Sequence, residues 1–385
     1  MHHTRQSING GLVVACSHAQ APQEAIAEIA LQTQGLELAG GVLFCGDRYG
    51  RAELAAAIRD QLTGFPVAGC ISAGELTARG YDTDSLQFIG FPADCFAMSL
   101  LPVTDLDGFD RDEARRQIRH LAANARAEAA PRLGDNLKQV ALFLVDGLSH
   151  REEVLTMTVQ DALGDVPLIG GSSGDGLTFA ATGVLYDGVF RPDAAVIALV
   201  TSTRPLPVFS ANHYRPGPAR MVVTEADPER RVVHEINAAP AAEEYRRLVG
   251  NVTDPLDTAF FAAHPPMVRT GGTYHVRSIQ SANPDGSLTF YCAVDNGIVL
   301  TIGEPIDRIA GMRSLFAEIE REIGETDLIL GFDCVLNRID ADNRQLSHAI
   351  SQLYAEHRVV GFNTYGEQFR AAHVNQTLSG LAIGR

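Results

Sequence analysis

Three short runs carry residue types able to hold a small ligand: Ser72-Ala73-Gly74-Glu75, Ser172-Ser173-Gly174-Asp175 and Thr364-Tyr365-Gly366-Glu367. Each reads hydroxyl, any residue, glycine, acid. Glycine takes positive φ at no steric cost, and the hydroxyl and carboxylate can hydrogen-bond backbone exposed where the chain reverses. One such run alone is as readily a plain tight turn. Three at comparable places predict turns along a shared rim, where a ligand would meet backbone amides. Ser172, Gly174, Asp175, Thr364, Tyr365, Gly366 and Glu367 are therefore candidate ligand-binding residues. Ser172, Asp175 and Glu367 suit the ammonium and carboxylate groups of an amino acid or another small polar molecule.

The twelve histidines sort by context. In a predicted strand from His373, alternate residues His373, Asn375 and Thr377 share one face, directly after the third turn, and Val374 and Leu378 share the other. His373 is the first candidate for a ligand contact, and Asn375 joins it. His348 falls opposite the Leu346, Ile350 and Leu353 stripe of a predicted helix, so it is either exposed or turned to a cofactor. His357, at that helix's C-terminus, suits a cap. His234 and His264 read as structural; His120 and His150 sit in polar contexts, and His2 and His3 at the terminus. A second chemistry competes at Ser172, because Gly170-Gly171-Ser172-Ser173-Gly174 satisfies the G-x-S-x-G pattern of a hydrolase nucleophile elbow. That elbow must lead into a helix, whereas Leu177 to Tyr186 reads as strand. A serine hydrolase using Ser172 is the lesser alternative, and the chain is expected not to be an enzyme.

These residues hang on a repeated plan, sought before motifs are interpreted. The first copy has a strand Val42 to Cys45, a helix Ala52 to Leu62, a strand Val67 to Ile71, the turn, and a strand Ser85 to Phe91. The second has Val140 to Val145, Arg151 to Leu163, Val166 to Gly170, the turn, and Gly183 to Tyr186. The third has Leu328 to Cys334, Arg344 to His357, Arg358 to Phe362, the turn, and His373 to Ile383. The strands are near-continuous apolar runs, as expected when both sheet faces are covered. The fold class is α/β, a two-domain layered sandwich with mixed sheets and repeated strand-helix-strand-turn-strand units. The proline-punctuated stretch from Arg204 to Pro218 marks the boundary between domains. Beyond it, Val232 to Ile236 alternates as a strand, Pro240 opens a helix to Val249, and Asn283-Pro284-Asp285-Gly286 turns a hairpin.

Composition excludes several classes. With 31 Lys and Arg against 47 Asp and Glu, the formal charge of −16 opposes binding to a phosphate backbone. The densest basic stretch, around Arg115, Arg116 and Arg119, is interleaved with Asp112 and Glu113 and reads as a solvated helix face. The six cysteines lie in apolar runs without metal or haem-attachment spacing, and read as reduced core residues. Val13-Val14-Ala15-Cys16 resembles a lipid-attachment box, but the apolar run before Cys16 is too short for a signal, so a first strand is expected. No window is apolar enough for a membrane span, and the expected location is the cytoplasm.

The run Ile169-Gly170-Gly171-Ser172-Ser173-Gly174-Asp175-Gly176, followed by Val184-Leu185-Tyr186-Asp187-Gly188, resembles the N-terminal part of FIST sensory proteins. Val233-His234-Glu235-Ile236-Asn237, Gly331-Phe332-Asp333-Cys334 and Val360-Gly361-Phe362-Asn363-Thr364-Tyr365-Gly366-Glu367-Gln368 resemble the C-terminal part. The likeness covers residues 10–385, giving a FIST N-terminal-like domain at 10–205 and a FIST C-terminal-like domain at 220–385. The ending His373-Val374-Asn375-Gln376-Thr377 resembles the NosP branch of nitric-oxide-sensing haemoproteins. The resemblance implies a stand-alone, non-enzymatic sensor of a small molecule or gas, acting in trans on a histidine kinase or a cyclic-di-GMP enzyme, with homodimerisation left open. The branch adds haem b as cofactor, with nitric oxide as its ligand, and makes His373 and His348 the candidate iron ligands. A haem-free sensor of a small polar ligand is the alternative within the family.

Overall fold

The computed structural model describes residues 11–250, 253–270 and 272–385; His2 and His3 lie outside them. The first unit runs β1 (Val13–Ser17), α1 (Pro22–Thr33), β2 (Leu38–Gly46), α2 (Arg51–Gln61), β3 (Val67–Ser72), the hairpin β4 (Glu75–Thr77) and β5 (Gly80–Asp82), and β6 (Leu86–Pro92). The second repeats it: β7 (Phe96–Thr104), α3 (Arg111–Leu133), β8 (Lys138–Val145), α4 (Glu152–Leu163), β9 (Leu168–Ser172), the hairpin β10 (Val184–Tyr186) and β11 (Val189–Arg191), and β12 (Ala194–Ser202). The third starts with β13 (Val208–Asn212) and is then interrupted by an inserted module. That module comprises β14 (Tyr214–Asp227), β15 (Val232–Ile236), β16 (Ala239–Pro240), α5 (Ala241–Val249), α6 (Thr258–Ala263), β17 (Pro266–Thr270), β18 (Thr273–Val276), β19 (Ile279–Ala282), β20 (Leu288–Phe290) and β21 (Val299–Pro305). The third unit resumes with α7 (Arg308–Ile323), β22 (Thr326–Cys334), α8 (Val335–Asn343), α9 (Ser347–Glu356), β23 (Val359–Thr364), the hairpin β24 (Glu367–Phe369) and β25 (Ala372–Val374), and β26 (Thr377–Gly384).

The units form three sheets of identical plan: β1-β6-β2-β3-β10-β11, β7-β12-β8-β9-β24-β25 and β13-β26-β22-β23-β4-β5. In each, one central pair is parallel and the other pairs antiparallel. The last two strands of every sheet are a hairpin lent by another unit. The first unit lends to the third sheet, the third to the second, and the second to the first, which closes a cyclic exchange. Two of the three sheets thus draw strands from both sides of residues 205–220. The module forms a fourth, antiparallel sheet.

One glycine in each parallel pair makes this geometry fit. Gly69 faces Leu43, Gly170 faces Phe143 and Gly361 faces Gly331. A Cβ there would overlap the partner's carbonyl oxygen, with the carbonyl carbon only 3.0, 2.6 and 2.9 Å away respectively. The inner faces share one apolar core, where Phe44 stacks on Phe362 at 4.5 Å between ring centroids and Leu144, Ile169 and Phe332 complete the contact. The outer faces bury Ile26, Ile58, Val159, Phe316 and Leu353 under their helices. Both faces being covered explains the continuous apolar strands.

Two parts of the sequence reading are corrected. Gly183 to Tyr186 is not the second copy's counterpart of Ser85 to Phe91: it is the hairpin strand β10, and the counterpart is β12. The strand expected from His373 to Ile383 is broken at Asn375 and Gln376, where Gln376 takes a φ of 50°. His373 therefore belongs to the second sheet and Thr377 to the third, so they do not share a strand face.

Candidate ligand site

The cyclic exchange makes three hairpins comparable residue by residue. Opposite Gly361 stands Leu76, paired across its hairpin with Tyr81. Opposite Gly69 stands Leu185, paired with Phe190. Opposite Gly170 stands Gln368, paired with His373. One of three equivalent positions thus holds a Gln–His pair where the others hold apolar and aromatic side chains.

The turns differ at the same place. In the first, Ser72 Oγ lies 2.5 Å from Glu75 Oε1, and Glu75 Oε2 accepts from the Ser85 amide and hydroxyl at 3.2 and 3.1 Å. The third repeats this with Thr364, Glu367 and Thr377, the last donating its amide at 3.1 Å and its hydroxyl at 2.7 Å. Burial pushes Glu75 up to about 7 and Glu367 up to about 8, although their hydrogen-bond donors pull the other way. The second turn carries the shorter Asp175. Its oxygens accept from the amides of Phe179, Ala180 and Ala181 at 2.9, 2.8 and 2.8 Å and from the Tyr365 hydroxyl. Burial opposes the Asp175 charge, but these donors outweigh it and hold its carboxyl below the ordinary value.

Ser172 is thereby free of a carboxylate partner, and its Oγ accepts from Gln368 Nε2 at 2.8 Å. The same Nε2 lies 3.1 Å from His373 Nδ1. Beyond this chain the polar atoms have no partners: His373 Nε2, Gln368 Oε1 and both amide atoms of Asn375 are buried and unpaired. Two of them, His373 Nε2 and Asn375 Nδ2, lie beside Gly366. A Cβ on Gly366 would overlap the His373 imidazole and stand 2.8 Å from Nε2 and 3.0 Å from Asn375 Nδ2.

The inserted module walls the cluster. Val276 bridges to Asn375, and Arg277 donates to the His373 carbonyl at 3.2 Å. Arg231 is 4% exposed and reaches α4, lying 2.5 Å from Glu152 and 2.7 Å from Glu153 while also donating to the Tyr291 carbonyl at 2.6 Å. Burial holds the His373 imidazole below its ordinary value, against the pull of Glu153 and Glu152. Burial likewise works against the Glu153 charge, but His373 and Arg231 outweigh it and bring Glu153 down to about 2. The Ala293 amide also donates to Glu153, at 3.0 Å.

Family models of the FIST N domain and the FIST C domain match residues 39–239 and 241–370. The chain belongs to the FIST family. No curated protein matches it. FIST domains are small-ligand sensing domains of signalling proteins. The junction between the two FIST matches falls inside the inserted module, so β13 lies in one match and α7 to β24 of the third unit in the other. Among the described residues, no helix is long and apolar enough to cross a membrane.

The FIST fold brings together Ser172, Gly366, His373 and Asn375 from the sequence-derived set. Gly174 lies under the Tyr365 ring, where a Cβ would approach Cε1 to 2.8 Å. Tyr365 packs on Phe179 at 4.8 Å between centroids and bonds Asp175, so these residues shape the rim. Thr364 and Glu367 are satisfied by each other and by Thr377. His348 is exposed on α9, over the third sheet, and is not brought to His373. Sequence reasoning missed Gln368, whose signal was its place two residues after Gly366, where the first unit has Leu76.

Two chemistries can be tested against this geometry. At Ser172, β9 ends without entering a helix, and the Gln368 amide stands between Oγ and the imidazole, so no nucleophile elbow is formed. For haem, a histidine ligand needs an apolar slot for a flat macrocycle beside its nitrogen. The Nε2 of His373 instead lies, buried and unpaired, against the Gly366 backbone and the Asn375 amide. The residues around His373 do not fit haem.

Proposed function

We propose that this FIST protein is a non-enzymatic, cytoplasmic sensor of a small polar ligand held by His373, Asn375, Gln368 and Ser172. The carrying observation is the set of buried polar atoms left unpaired in one place, since a buried unpaired polar group costs about 1–3 kcal/mol. With Gln368 Nε2 donating to Nδ1, the imidazole proton is assigned to Nε2. The free inventory is then a donor on His373, donor and acceptor on Asn375, and an acceptor on Gln368. Such a set suits a molecule offering both a carboxylate-type acceptor and an ammonium or amide donor, as an amino acid does. Signalling to a histidine kinase or cyclic-di-GMP enzyme in trans is supported by the family resemblance. The haem and nitric oxide reading, which the resemblance of the chain's ending favoured, has the geometry at His373 against it.

The test is thermal melting of the purified protein against a panel of amino acids, alongside an absorption spectrum after haem addition. A saturable rise in Tm with a member of the panel, lost in His373→Ala and Asn375→Ala, is expected. No rise with any member overturns the reading. A stoichiometric Soret band lost in His373→Ala overturns it in favour of haem.

A further inference from the structure

We propose that Cys16, His18 and Asp82 form a binding site for a divalent transition-metal ion of the zinc class, apart from the ligand site. Cys16 lies in β1, His18 just beyond that strand, and Asp82 at the end of β5, the hairpin strand lent to the third sheet. The cyclic exchange thus carries a carboxylate from the third sheet's edge to the first sheet's edge, where a thiol and an imidazole wait. One ligand atom from each, sulfur, nitrogen and oxygen, lies within 4.8 Å of the other two. Ligand atoms of a tetrahedral zinc shell, about 2.0–2.3 Å from the metal, stand closer together than that limit, so a small inward adjustment suffices.

The present contacts show which charge the site calls for. His18 Nε2 lies 2.8 Å from Asp82 Oδ2 and 3.3 Å from the Arg79 guanidinium. A single ring nitrogen cannot serve an acceptor and a cationic donor at once. Arg79, whose side chain is 76% exposed, also lies 3.7 Å from Asp82 and fills the cation position from outside. It is free to swing into solvent when a metal enters. The Asp82 carboxylate favours a divalent cation, and a coordinating metal deprotonates a thiol outright. Sulfur, imidazole and carboxylate together select zinc or cobalt over magnesium or calcium. Cys45, Cys70, Cys292 and Cys334 are buried, whereas Cys16 lies on a partly open strand. Three protein donors leave a fourth position to water on the exposed His18 side. A metal here would clip β1 to the β4–β5 hairpin and so link two sheets of the ring.

The test is titration of the full-length, reduced, chelator-treated protein with cobalt(II). One equivalent should produce a thiolate-to-cobalt charge-transfer band and visible bands of tetrahedral intensity. Cys16→Ser should abolish the charge-transfer band, and His18→Ala and Asp82→Asn should each weaken binding at least tenfold. Arg79→Ala should bind at least as tightly as wild type. His373→Ala should leave the band intact, which separates this site from the ligand site. Absence of the band, its survival in Cys16→Ser, or wild-type affinity in both His18→Ala and Asp82→Asn overturns the proposal. Should Cys16→Ser fail to fold, the exposed His18 and the Asp82 variant carry the test.

Discussion

Gly366→Ala is a one-methyl change that presses directly on the candidate site. Gly366 is not among the glycines with positive φ, so an alanine meets no backbone strain there and its whole effect is one methyl group. That methyl would overlap the His373 ring and press on Nε2 and Asn375 Nδ2 at 2.8 and 3.0 Å. The ring cannot simply turn away, because Nδ1 is held by Gln368 and the main chain by the β24–β25 pairing. The nearest ring carbon, Cε1, would stand 2.3 Å from the added methyl, so the hairpin must shift by roughly 1 Å, and overpacking of this kind costs about 1–3 kcal/mol. For a chain of 385 residues each kcal/mol shifts Tm by about 1.2 °C, so the expected fall in Tm is on the order of 1–4 °C. Ligand response should vanish as well, since the methyl displaces the His373 and Asn375 atoms that would hold the ligand. At a hundredfold excess over Kd that response is worth about 2.7 kcal/mol in the wild type. Asn375→Ala separates the two effects: it removes two unpaired buried atoms, so apo stability should hold or rise while the ligand response is lost. Urea and thermal unfolding of both variants, with and without the responding amino acid, make the comparison. A Gly366→Ala protein with wild-type Tm and an undiminished ligand shift would refute the assignment of this space.

Reverting the site hairpin to the pair found in the second hairpin, with Gln368→Leu and His373→Phe together, should leave apo stability no lower than wild type and abolish ligand response. Large destabilisation with response retained would count against the equivalence of the hairpins. Gly69→Ala, Gly170→Ala and Gly361→Ala should each cost more than Gly366→Ala, because the added carbon meets backbone carbonyl rather than a side chain. Yields of folded protein and urea midpoints would show it, and a mild effect at one site would break the threefold scheme. The pH dependence follows from Glu367, whose folded value of about 8 lies above the ordinary 4.5. A carboxyl raised in this way contributes stability that is full below its unfolded value and is lost as pH rises through its folded value, at about 1.4 kcal/mol per unit. Glu75 adds a smaller loss up to about 7. Urea unfolding should therefore show stability falling between roughly pH 4.5 and 8, with Glu367→Gln flattening much of that slope and an unchanged slope contradicting it.

Much of the scaffold could be read from residue order, because each unit's strands and helices are local patterns. The α2, α4 and α9 helices and the β2, β3, β8, β9, β22 and β23 strands follow from apolar periodicity alone. The hairpin exchange could not be read that way. Leu76 and Gly361 are joined by pairing across 285 positions, and nothing in either neighbourhood selects that partner. The same gap broke the predicted strand at Asn375. An alternation of polar and apolar residues across His373 to Leu378 looks like one strand, but the chain crosses there from the second sheet to the third, and Gln376 takes up the left-handed turn. Ser172, His373 and Asn375 were visible as polar residues at or after turns, and Gly366 as a turn glycine. Gln368 was not, because its meaning lies in comparison with Leu76 and Leu185, which only the register makes equivalent.

Departure from internal symmetry is the physical signature of the site. The first and third turns each close on themselves, hydroxyl to glutamate to the next strand, and need no outside partner. In the second, one methylene fewer at Asp175 turns that carboxylate toward the 179–181 backbone and Tyr365, which releases Ser172. The hairpin that arrives beside it is the one bearing Gln368 and His373. Neither change alone makes a site: a free Ser172 beside a Leu–Phe hairpin would be a lone hydroxyl, and a Gln–His pair beside a closed turn would lose its anchor. Both fall on the second sheet, against the inserted module that the other two units lack. Arg231 and Arg277 come from that module, so the element that walls the ligand site is also the one tied to α4 through Glu152 and Glu153. A ligand that favours one arrangement of this wall over another has, in those ion pairs, a direct route to the surface of α4.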